Sequence, residues 1–148
     1  MDSARSAVSG LGLPVAALVG LAALGVPRVV LHDLDLSGAA VTWVLALVPP
    51  IAWLVVVLAA RVPRPFVTLV SVGVIYGVML AATHQLLWNE AYDGDPPRLG
   101  DNLADAPDWV HAVVTRGGAV VSSLVVGAAL GALVGAIATV VTRRRAVA

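Results

Sequence analysis

Six small residues, Ala119, Ser123, Gly127, Gly131, Gly135 and Thr139, recur at intervals of four inside a run from Gly117 to Thr142 that carries no charge. A run that long and that apolar has the pattern of a membrane-spanning helix. Spacing of four sets the small side chains on one slowly precessing face, where a second helix backbone can come close. A bundle is expected to form around that approach. Gly73 and Gly77, on the preceding apolar run, stand at about the same depth as Gly131 and Gly135. The stripe can therefore pack within the chain, and it also has small residues to spare for a homo-oligomer face.

Composition agrees with the membrane reading. The chain has 148 residues, 59% of them hydrophobic and 12% charged, more apolar surface than a soluble domain of this size can hide. It has no Cys, which excludes disulfides, thiolate metal sites and a cysteine nucleophile. Its nine basic residues are all Arg, and Ala and Val abound, as expected of a protein from a high-GC bacterial genome.

A formal net charge of zero conceals a strong asymmetry. Arg61, Arg64, Arg143, Arg144 and Arg145, with Arg5, lie on one side of the apolar runs, and only Asp2 accompanies them. Asp33, Asp35, Glu90, Asp93, Asp95, Asp101, Asp105 and Asp108 fall in the other connections, with Arg28, Arg98 and Arg116. Short Arg-bearing loops are retained in the cytoplasm. Arg61, Arg64 and Arg143 to Arg145 are thus expected as cytoplasmic anchors, in the inner membrane, with both termini inside.

The expected fold is an all-α integral membrane protein: a four-transmembrane-helix antiparallel bundle in one domain, residues 1–148. The spans are about 8–30, 39–60, 66–88 and 117–142. The first is longer than the apolar part of a secretory signal and reads as a retained anchor. Pro49 and Pro50 fall near the middle of the second, where they deprive the carbonyls of Leu45 and Ala46 of helical donors and predict a helix break. Arg61 to Pro65 is a tight inner turn. The outer loop, 89–116, carries turn chemistry at Asp93 to Pro97. A short helix from Pro107 to Thr115 is expected to rest on the membrane surface, hinged at Gly117 and Gly118.

Residues that could carry chemistry are few. Gly73, Gly77, Ser123, Gly127, Gly131 and Gly135 are packing positions. Tyr76 is a candidate donor to the carbonyls freed by the prolines. His84 shares the face of Gly73 and Gly77 and is expected to meet Ser122 and Ser123, so Tyr76, His84, Gln85 and Ser122 form a candidate polar cluster. His32, His84 and His111 all map to the outer side, near carboxylates. Yet no metal-ligand motif surrounds any of them, and neither a metal nor a cofactor is expected. Ser122 or Ser123 with His84 and an outer Asp supplies the residue types of a hydrolytic triad, without a nucleophile-elbow pattern. No ionisable residue is expected deep in a span, which weighs against ion-coupled carriers. Phosphate-cradling loops and nucleic-acid patches are absent.

The function expected from this inventory is that of a non-enzymatic membrane component, accessory or oligomerising. Its partners would be the lipid bilayer and either a second copy or a larger membrane complex, with no nucleic acid. The alternative is a small channel or transporter using the Pro49–Pro50 break. A metal- or haem-dependent membrane enzyme is a weaker third.

Overall fold

A computed structural model describes residues 10–147. The polar lead at 1–7 and the start of the first span at Val8 lie outside them. The described residues contain helices and no strand. In chain order the helices are α1 (Val15–Ala23), α2 (Val26–Asp33), α3 (Ala39–Ala59), α4 (Pro65–Leu86), the single turn α5 (Trp88–Ala91) and α6 (Asp108–Val147). Four stretches are long and apolar enough to cross a membrane: α1 with α2, α3, α4, and α6. The first three have 19, 21 and 22 residues, about 28–33 Å at 1.5 Å per residue, which matches a hydrocarbon layer of about 30 Å. This is a multi-pass membrane protein.

The α4–α6 seam is where the small residues act. A side chain on Gly73 would run into the carbonyl oxygen of Gly127, and one on Gly127 into that of Gly73. A Cβ on Gly131 would lie 2.5 Å from the Leu69 oxygen, and one on Gly77 2.8 Å from the Ser123 oxygen. A Cβ on Gly135 would lie 3.1 Å from the Phe66 backbone. The register descends along α6 as it ascends along α4, and the close approach runs from Phe66 to Gly77 on α4, more than three turns. The stripe is thus occupied within the chain, and close packing replaces the hydrophobic drive that lipid cannot supply.

α4 is the central helix. Its buried residues include Thr68, Leu69, Val72, Tyr76, Leu80 and Ala81, and it packs against α6, α1, α2 and α3. The core closes over it with Leu18 and Ala22 of α1, Val29 of α2, Trp53 and Val57 of α3, and Val134 and Ala138 of α6.

Three expectations are corrected. The first span does not end at Val30 but continues to Asp33, with a break at Leu24 and Gly25. Pro27 lies in the first turn of α2, where its missing N–H has no helical bond to lose, so it starts a helix rather than stopping one. Arg28 and Asp33 consequently sit on the spanning helix, not in a loop. Second, α3 runs unbroken through Pro49 and Pro50, and Pro49 is fully buried. The proline ring holds φ near −65°, a helical value, so two lost donors need not unwind a helix whose ring faces pack inward. Third, no hinge separates a surface helix from the fourth span. α6 is continuous over 40 residues, with Gly117 and Gly118 inside it, because glycine permits a bend without requiring one.

Candidate functional site

Hydrogen bonds cross between spans at three levels of the first span. Before α1, the carbonyl of Leu11 accepts from Thr68 Oγ1 at 2.6 Å. Near the α1–α2 break, Trp53 Nε1–H donates to the Leu21 carbonyl at 2.7 Å. At the break Gly25 N–H bonds the Ala22 carbonyl, and the Leu21 oxygen takes the Leu24 N–H at 3.3 Å, so its second lone pair is open to the indole. Tyr76 then packs edge-on to Trp53, ring centres 5.5 Å apart, against Gly25, where any side chain would collide with the Tyr76 ring.

The third tie lies at the carboxylate-rich end. Asp33, the last residue of α2, has a side chain only 6% exposed, and its Oδ2 stands 2.7 Å from His84 Nδ1. Its Oδ1 is 3.3 Å from His32 Nδ1. A carboxylate can only accept, so it is Nδ1–H of His84 that donates. A cavity of about 190 Å³ opens beside the pair, bounded by Trp88, Tyr92, Ala119 and Ser122. An imidazole oriented by a carboxylate can accept a proton or a donor through Nε2. Ser122 lines the same cavity, but its hydroxyl donates to the Ala119 carbonyl at 3.0 Å. Among the described residues no three His, Asp or Glu side chains are grouped to hold a metal ion.

The four residues expected to cluster take separate partners. Tyr76 is buried in the core beside Trp53. His84 meets Asp33 rather than Ser122 or Ser123. Gln85 exchanges hydrogen bonds with Arg116, its Nε2–H to the Arg116 carbonyl and its Oε1 from the guanidinium, both at 3.3 Å. Ser123 is buried on the α6 seam with its hydroxyl turned to Ala119. Helix rotation decides these pairings, and spacing along one helix does not reveal it. Asp33 itself was legible in one respect: Pro27 as a helix start would have carried α2 through His32 and Asp33.

Next to this site the segment 89–107, between α4 and α6, folds onto α6. Arg116 lies over the Trp88 ring at 4.9 Å, Trp88 meets Tyr92 at 5.1 Å, and Arg98 pairs with Asp108 at 2.9 Å. His111 is buried, and its Nδ1 accepts from Leu99 N–H at 2.9 Å.

At the opposite end the arginines gather. α3 closes with Val62 N–H bonded to the Val57 carbonyl and Arg61 in the left-handed region, φ 50°. Gly12, φ 72°, packs onto this turn, where a side chain would meet Pro63 and Val62. Arg64 and Arg143 line one cleft, Arg61 and Arg145 another, with Thr142 common to both. The turn between α3 and α4 and the last turns of α6 therefore lie together.

A chain with polar side chains sorted to two ends and four apolar helices between them defines a small multi-pass membrane protein. Comparison with protein-family models, curated proteins and solved structures gives no match to this chain.

Proposed function

We propose that this chain is a non-enzymatic component of a bacterial cytoplasmic membrane, accessory or oligomerising, with four antiparallel spans and both termini in the cytoplasm. The orientation rests on the sorting of charge: the end with five guanidinium groups and, among the described residues, no carboxylate is held inside. The assembly role rests on one observation. α6 is about 60 Å long by its residue count, twice the hydrocarbon thickness. Along it Trp109, Val113, Val121 and Val125 are 68%, 63%, 61% and 60% exposed at intervals of four or eight, with Gly117 filling the gap. A continuous helix carries this stripe out of the bilayer instead of laying Trp109 and Val113 on its surface. Large exposed apolar side chains beyond the lipid mark a protein contact.

The Cys-free sequence makes the test direct. Trp109→Cys and Val113→Cys, oxidised in native membranes, are expected to cross-link to a second copy or to a co-purifying membrane protein. If neither product forms and gentle extraction yields only monomer, the assembly role is wrong. For orientation, Asp93→Cys is expected to label in intact cells with a membrane-impermeant maleimide, while Pro63→Cys and Arg144→Cys label only after lysis.

The channel or transporter reading has less behind it, because α3 stays helical through Pro49 and Pro50.

A further inference from the structure

We infer that the arginine-rich end holds a specific site for a two-phosphate anionic phospholipid of the cardiolipin type, seated across the last turns of α6. The inference builds on the membrane reading above. Two clefts flank Thr142, of about 260 Å³ and about 360 Å³. Each is lined by two guanidinium groups, Arg64 with Arg143 and Arg61 with Arg145. Two cationic clefts sharing one wall match a headgroup that carries two phosphodiesters on one glycerol bridge.

Charge balance supports a ligand. Among the described residues the three ion pairs all lie at the other end of the molecule. Among the described residues no carboxylate lines either cleft. Guanidinium groups bind phosphate through paired N–H donors. The first cleft also has an apolar wall of Pro65, Phe66 and Val67, suited to glycerol and acyl carbons. That wall distinguishes a lipid from free phosphate.

Arg61 adds an independent argument. Left-handed backbone after a helix is normally given to Gly or Asn. At the three other non-glycine positions of positive φ among the described residues the chain places Asp: Asp35, Asp93 and Asp101, a residue that tolerates this region. At Arg61 it accepts a long side chain on a strained backbone, which local structure does not call for.

The test uses the full chain, delipidated in mild detergent and titrated with tetraoleoyl cardiolipin, dioleoylphosphatidylglycerol, dioleoylphosphatidylcholine and inorganic phosphate. Binding is read by native mass spectrometry. One cardiolipin per chain is expected, about tenfold tighter than phosphatidylglycerol, with no competition from inorganic phosphate. Arg61→Gln and Arg143→Gln should each weaken it by about tenfold, and Arg144→Gln, which lines neither cleft, by no more than about twofold. Elution of each variant like the parent shows that folding is intact. Equal loss with Arg144→Gln, or equal affinity for phosphatidylglycerol, would reduce the site to diffuse attraction and overturn it. Recovery of the unmodified chain from the soluble fraction would instead remove the membrane reading, and the site with it.

Discussion

His84 Nδ1 lies 2.7 Å from Asp33 Oδ2, a bond between two spanning segments made by residues 51 apart in sequence. It fastens the end of α2 to the last turn of α4 and places the imidazole beside a cavity. A bond between a carboxylate and an imidazole N–H at this distance is charge-assisted, and the Asp33 side chain is nearly dry.

Asp33→Ala is therefore expected to destabilise the protein by about 1.5–3 kcal/mol, the range for a hydrogen bond to a charged group. His84→Ala should cost a similar amount, and the double variant should cost less than the sum, because both remove one interaction. Thermal melting of the four proteins in one detergent measures this. Additive losses would show that the pair is not coupled.

The glycines divide into two groups that should respond in opposite directions. Gly131→Leu forces side-chain atoms into the Leu69 carbonyl and should cost about 3 kcal/mol or more, or prevent folding. Gly117→Ala and Gly118→Ala meet nothing within 4 Å and sit inside α6, so each should stabilise by about 0.5–1 kcal/mol. A hinge at these glycines would make the alanine variants destabilising instead. Native-like elution and melting of Gly131→Leu would deny the seam its role.

Trp53→Phe keeps most of the buried ring but removes the donor to the Leu21 carbonyl. The Leu21 oxygen keeps the Leu24 N–H, so the expected loss is that of one net hydrogen bond, about 0.5–1.5 kcal/mol. Hydrogen exchange should report it locally, as faster exchange of the amides around the α1–α2 break. Unchanged exchange there would mean that the indole bond does not hold the break.

Arg61→Gly should move stability and lipid binding in opposite directions. Relief of the left-handed backbone is expected to add about 1 kcal/mol in lipid-free detergent, while affinity for cardiolipin falls. Melting with and without lipid separates the two. A variant that melts lower without lipid would show that the arginine side chain supports the turn itself.

What the one-dimensional sequence determined is what depends on local composition. Apolar runs of the right length identify four spanning helices wherever they fold, since backbone groups in lipid must be satisfied within the helix. Arginines and carboxylates were already sorted to alternate connections. The positions of Gly73, Gly77, Gly127 and Gly131 marked where backbones come close. Tertiary structure decided the partners. His84 turned to Asp33, Gln85 to Arg116 and Trp53 to Leu21, while Tyr76 went into the core, because each choice depends on how four helices are rotated and offset together. It also decided that Pro27 begins a helix, that Pro49 lies buried in an unbroken one, and that Gly117 and Gly118 lie within a continuous α6. Proline and glycine widen or narrow the backbone's choices, and only the surrounding packing selects among them.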